Sequence, residues 1–262
     1  MNKNVVKAEN VCVYQSGVEI LHKLDFEIKK SEHTFILGPN GAGKTTLVKL
    51  LLGHHHPACG GTLEVLGRTF GKADLRELRR HIAVASPLLT EFYSPEQNAL
   101  DLVLSGIDSV MGIFRKYTDD EKEKALSLLE KFNCRHLAGR KFPEMSSGEQ
   151  IRILLSRALI SSPDLLVLDE PSVFLDPAGR EKLLSELERL PEINPDMTML
   201  FITQRTEDIL PLFKHGILLS DGKIFDKGLS EHLLTGEKLS QVFQIDLKLV
   251  SGANGRLWSI CS

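Results

Sequence analysis

Two short runs hold residues whose types and order can do chemistry on a phosphate. The first is Gly38-Pro39-Asn40-Gly41-Ala42-Gly43-Lys44-Thr45, followed by Thr46. It fits G-x-x-x-x-G-K-[ST], a loop whose backbone N–H groups close around phosphate oxygens. Its glycines let the backbone turn tightly enough to do so. Lys44 can reach the outer phosphates of a nucleotide, and the Thr45 hydroxyl can ligate Mg²⁺. The second run is Leu165-Leu166-Val167-Leu168-Asp169-Glu170, an apolar stretch that ends in an acid pair. Asp169 suits a Mg²⁺ ligand, direct or through water. Glu170 suits orienting or deprotonating an attacking water.

Each run needs an element to place it. The apolar Thr34–Leu37 before the loop and the helical pattern Thr46, Leu47, Leu50, Leu51 after it give strand, loop and helix. A helix starting near Lys44 points its positive end at the same anion. Leu165–Leu168 reads as a buried parallel strand, and ligands in open α/β sheets sit at the carboxyl ends of such strands. A chance glycine-rich turn explains the first run alone, and an acidic turn after a core strand explains the second alone. Neither explains both.

Elsewhere the chain alternates strand and helix signals. Strands are predicted at Val5–Tyr14, Ile20–Lys30, Thr62–Leu66, Ile82–Ala85 and Met197–Ile202. Ser220-Asp221-Gly222 predicts a hairpin between Ile217–Leu219 and Lys223–Phe225. From about residue 91 to 162 the pattern turns helical. Asp119–Phe132 is amphipathic, with Thr118 or Asp119 as its cap, and Gly148–Ser161 is a second helix. Further helices are predicted at Asp74–Arg80, Pro177–Leu190, Thr206–Leu212, Ser230–Leu234 and Glu237–Phe243. Residues 247–262 are expected to form a loosely packed tail or a late strand.

Composition narrows the classes. With 262 residues, 42% hydrophobic and 26% charged, the chain can form one large α/β domain. A net charge of −3 gives no basic stripe for nucleic acid. The cysteines at 12, 59, 134 and 261 show no C-x-x-C pair, which fits a reducing cytosol. His54, His55, His56 and Cys59 invite a metal reading. Adjacent histidines have poor geometry for one ion, so a solvated connection is expected there. Residues 1–20 give no expectation of a signal peptide, and no window approaches the about 20 apolar residues that span a bilayer.

Between the two runs stands Met145-Ser146-Ser147-Gly148-Glu149-Gln150, opening a helix. After them stands Pro171-Ser172-Val173-Phe174-Leu175-Asp176-Pro177. This ordered set resembles the ATP-binding-cassette (ABC) ATPases, whose signature L-S-G-G-[QE] precedes the strand with the acid pair. The resemblance covers about residues 3–235. It implies an ABC-type P-loop NTPase fold in one domain over 1–262. The core sheet would be mainly parallel, with an antiparallel β region at the N-terminus. A helical subdomain would be inserted at about 91–162, and a short tail would run from about 245 to 262. It implies ATP and Mg²⁺ as cofactors, and head-to-tail pairing with a second copy or a similar cassette. Ser146 and Gly148 would then reach the γ-phosphate held by the partner's loop. Tyr14 matches the aromatic residue that stacks on adenine, although a tyrosine packed at a strand end reads the same way. Asp176 matches the acid that links the two sites.

The signature departs from the family at Met145 for Leu and at Ser147 for the first Gly, and two further departures matter more. Gln204 stands where a histidine usually follows the strand; it can donate to a phosphate oxygen but cannot accept a proton. After Ile82–Ala85 comes Ser86-Pro87-Leu88, with no glutamine; Gln97 is too far on to take its place. The leading expectation is an ATPase subunit that powers a membrane transporter. It would lie in the cytoplasm, on the inner face of the membrane, through separate permease subunits. A groove near Phe92–Tyr117 would take a short partner helix. Alternatives are a soluble ABC ATPase of the iron–sulfur-assembly type and a slow regulatory nucleotide-binding module. The run Leu102–Gly106 looks like that in metal-chelate and oxyanion importers.

Overall fold

The computed structural model describes residues 4–58, 60–72, 75–110 and 112–261. Cys59, and Asp74 at the start of one predicted helix, lie outside the described residues. The chain divides into two compact units, one of residues 1–78 and 198–262, the other of residues 79–197.

The first unit opens with β1 (Asn4–Gln15) and β2 (Val18–Lys29), an antiparallel pair. Leu24, Phe26 and Ile28 alternate inward along β2 as their spacing demands. Next come β3 (Thr34–Leu37), α1 (Lys44–Leu51), β4 (Thr62–Val65), β5 (Arg68–Thr69) and α2 (Leu75–Arg79). The order β2-β1-β4-β5 forms an antiparallel sheet.

The second unit holds β6 (Ile82–Ala85), α3 (Ala99–Ser105), α4 (Asp119–Lys131), α5 (Ser147–Leu159), β7 (Leu165–Asp169), α6 (Pro177–Glu188) and α7 (Leu190–Ile193). β6 and β7 pair in parallel, Ala85 opposite Leu168. Thr118 is the cap of α4, in a reciprocal capping box with Glu121. The predicted helix at 148–161 begins one residue earlier, because Ser146 caps it. A 3₁₀ turn, Pro87–Phe92, follows β6.

The chain then returns to the first unit with β8 (Thr198–Thr203), β9 (His215–Ser220), β10 (Lys223–Leu229), α8 (Ser230–Leu233), α9 (Gly236–Phe243), β11 (Leu247–Ser251) and β12 (Leu257–Cys261). Here the sheet order is β10-β9-β3-β8, with β3 parallel to both neighbours. Every residue of β3 is buried, as a strand with neighbours on both edges requires. The fold is thus mixed: parallel pairs at the core of the sequence motifs and a separate antiparallel sheet.

One predicted helix is not there. Residues 206–212 form only a single 3₁₀ turn, Thr206–Asp208, and Ile209 is extended. Pro211 lacks an N–H and biases Leu210 away from helical dihedrals, so the turn cannot propagate. The tail residues 247–261 pair as the hairpin of β11 and β12, with Arg256 stacked on Trp258 at 5.0 Å.

Candidate functional site

In the first unit the phosphate loop leaves the end of β3 and enters α1. Gly38 is held by close packing: a Cβ there would lie 2.1 Å from the Leu219 carbonyl oxygen on β9. Gly43, the N-cap of α1, has φ 98, and a Cβ there would lie 2.6 Å from Leu21. Both positions therefore need glycine for the loop to keep its shape. Ala42 and Thr46 are buried, and Asn40, Gly41 and Thr45 are exposed. Pro39 is half-buried.

Lys44 is 6% exposed, and its ammonium donates to the carbonyls of Gly38 at 2.8 Å and Pro39 at 2.9 Å. The cation is thus folded back over its own loop, where oxygen acceptors of the protein hold it. Gln204 directly follows β8, which runs beside β3 with Thr203 opposite Leu37. The two parallel strands end together, so Gln204 and the phosphate loop emerge at the same end of the sheet. The Arg205 N–H donates to the Thr203 hydroxyl at 3.0 Å and fixes the turn between them. Gln204 is half-buried.

Tyr14 stands near the end of β1, 46% exposed, opposite Glu19 of β2. Around Glu19 are Cys12, His22 and Tyr14. Hydrogen bonding from the Cys12 thiol, with smaller contributions from His22 and Tyr14, holds the Glu19 carboxyl below its ordinary range. Among the described residues no group of three or more His, Cys, Asp and Glu side chains is arranged to hold a metal ion, and Cys59 lies outside them.

In the second unit β7 is buried from end to end, and Asp169 at its last position is 3% exposed. Glu170 follows with φ 49, a left-handed conformation that a side chain adopts at a cost of about 1–2 kcal/mol. Such strain persists where the surrounding structure imposes it, and it re-aims the chain sharply after the strand. The Ser86 hydroxyl donates to Asp169 Oδ2 at 3.4 Å.

The helix α5 opens with a complete capping box. The Glu149 N–H donates to the Ser146 hydroxyl oxygen at 3.4 Å, and the Ser146 N–H donates to Glu149 Oε2 at 2.7 Å. The Ser146 hydroxyl also donates to that carboxylate, at 2.9 Å. The Ser146 backbone N–H, then its hydroxyl, keep the Glu149 carboxyl below its ordinary range. Gly148 is not required by the fold in the way Gly38 is. The nearest atom to an added Cβ would be the flexible end of Arg152, at 3.4 Å. A bare backbone at this position suits a group approaching from outside the chain.

Asp176 caps α6, its carboxylate accepting from the Gly179 N–H at 2.6 Å, with Pro177 in the first turn. The cap is a structural part beside the cross-site role that the resemblance implies, and an acid directly before a proline is itself a helix-start signal. Asp176→Ala is expected to lower stability by about 1 kcal/mol, and Asp176→Asn to restore it, both read by thermal unfolding. If Asp176→Asn keeps stability but loses ATP turnover, the acid acts beyond the cap.

Among the described residues no helix is long and apolar enough to cross a membrane. A family model described as ABC transporter matches residues 21–173. The ABC transporter ATP-binding protein YlmA of Bacillus subtilis is 34% identical, over 94% of this chain and 93% of that protein. The molybdate import ATP-binding protein MolC of Haemophilus influenzae is 31% identical, over 94% of this chain and 90% of its own length. Among solved structures, an inward-facing transporter described as of the metal-chelate type matches with a TM-score of 0.79 and 27% identity, covering 99% of this chain and 98% of that one. A dimeric cassette bound to ADP and phosphate, described as a post-hydrolysis state, matches with a TM-score of 0.74 and 25% identity, covering 86% of this chain and 98% of that one.

Proposed function

We propose, starting from the fact that this chain belongs to the ABC transporter family, that it is the subunit that binds and hydrolyses ATP to drive a membrane transporter. The observation that carries this reading is the phosphate loop, whose shape depends on glycine at 38 and 43 and whose lysine already lies across it.

In this reading the N–H groups of residues 40–46 and the Lys44 ammonium bind the phosphates, and the dipole of α1 adds to their pull. Tyr14 stacks on adenine. Thr45 and Asp169 would hold Mg²⁺. A hydroxyl and a carboxylate are hard oxygen donors, the set that cation takes. Bound there, the cation supplies charge neutralisation for the phosphates. Glu170 orients the attacking water and takes its proton. Gln204 donates its amide N–H to a γ-phosphate oxygen, and Gln204→His is expected to raise steady-state phosphate release several-fold. An unchanged rate would remove Gln204 from the chemistry.

Ser146 and Gly148 act on the nucleotide of a second cassette, a copy of this chain or a similar one, and Asp176 lies on the same interface. The open backbone at Gly148 supports this, because the fold itself does not demand glycine there. Transport proper belongs to separate permease subunits, which would hold this chain at the inner face of the cell membrane. The test is a tagged pull-down, with the detergent-solubilised membrane fraction kept apart from the soluble fraction. Stoichiometric recovery of a polytopic membrane protein is expected. Recovery with soluble partners alone would overturn the transporter reading.

A further inference from the structure

The side chain of Ser86 hydrogen-bonds both to Asp169 and to the Leu88 N–H. Ser86 follows β6 directly, and Asp169 is the last residue of the neighbouring parallel strand, β7. With Ala85 opposite Leu168, the register sets Ser86 beside Asp169. Both are almost wholly buried, at 2% and 3% exposure. The Ser86 hydroxyl donates to Asp169 Oδ2 at 3.4 Å, and its oxygen accepts from the Leu88 N–H at 3.3 Å as the N-cap of Pro87–Phe92. One oxygen therefore touches both a buried carboxylate and the start of a surface turn. That turn carries Leu88 and Phe92 at 45% and 58% exposure.

We propose that Ser86 is a positioning residue for the Asp169 carboxylate, and that it ties the orientation of that carboxylate to the conformation of Pro87–Phe92. The inference rests on the reading of Asp169 as a Mg²⁺ ligand. A ligating carboxylate is oriented by the donors behind it, and a donor lost from this position typically costs 10–100-fold in metal affinity. The donor matters more in a buried setting, where water does not replace it. The bond is long, so the effect is expected at the lower end of that range. A displacement of the turn that draws the hydroxyl toward Leu88 would loosen its hold on Asp169.

The alternative role, a cap only, is separable because glycine is nearly as good an N-cap as serine but has no hydroxyl to donate. The test uses the full chain with Ser86→Gly, Ser86→Ala and Ser86→Thr. Mn²⁺ binding is followed by electron paramagnetic resonance with a non-hydrolysable ATP analogue present. Binding of a fluorescent ATP analogue in EDTA is the control. Ser86→Gly and Ser86→Ala are expected to weaken Mn²⁺ binding about 10-fold with unchanged nucleotide affinity in EDTA, and Ser86→Thr to restore it. In turnover assays the half-saturating Mg²⁺ should rise by the same factor, while the maximal rate changes less.

Mn²⁺ affinity within twofold of wild type in Ser86→Gly, or no rescue by threonine, would overturn the proposal. A loss of thermal stability in Ser86→Ala alone, with cation binding unmoved, would leave Ser86 as a cap and overturn it too. If the wild-type protein binds the ATP analogue with no Mn²⁺ bound alongside it, the Asp169 reading itself fails and the inference falls with it.

Discussion

Glu170→Gln is expected to cut ATP turnover by about 10²–10⁴-fold, the usual contribution of a positioned general base, while nucleotide binding stays near wild type. The change is nearly isosteric, so it leaves the left-handed backbone at φ 49 as it is. It removes proton acceptance and keeps a hydrogen-bonding group in place. Single-turnover phosphate release, beside binding of a fluorescent ATP analogue, measures both halves of the expectation. A residual rate within a few-fold of wild type would place the base elsewhere. It would also favour a slow nucleotide-binding module over a motor.

Lys44→Ala is expected to weaken ATP binding by about 10–100-fold, because a hydrogen bond to a charged partner is worth about 1.5–3 kcal/mol. The same change removes the donor to the carbonyls of Gly38 and Pro39. Thermal unfolding should therefore accompany the titration, so that loop collapse is told apart from lost ligand contact. Lys44→Arg is not a conservative control: its fork is planar and bulkier, and Lys44 is buried at 6% exposure. Unchanged affinity in Lys44→Ala would refute the phosphate-loop reading.

The phosphate loop and the acid pair were legible because their chemistry is local. A strand, a turn and a helix start within about a dozen residues carry the whole signal, and burial of β3 and β7 follows from their apolar runs. The hydrogen bond from Ser86 to Asp169 was not legible. Those residues stand 83 positions apart, and only strand pairing sets them side by side. The absence of a helix at 206–212 was decided by one proline whose effect the apolar spacing masked. The hairpin of β11 and β12 escaped for another reason. Leu247–Ser251 and Leu257–Cys261 are exposed along much of their length, so alternation is weak, and the Arg256–Trp258 stack adds support that no periodicity announces.

The capping box at α5 has a consequence for any anion that arrives there. The end of this helix already carries a negative charge of the same chain, because the Glu149 carboxylate accepts from the N–H and hydroxyl of the cap residue Ser146. An incoming phosphate meets that charge. It either displaces Glu149 or shares the site against charge repulsion. Attraction of an anion to the helix end is therefore offset in part by repulsion from Glu149. Glu149→Gln, which removes the charge, is expected to strengthen the binding of an anion at this helix end.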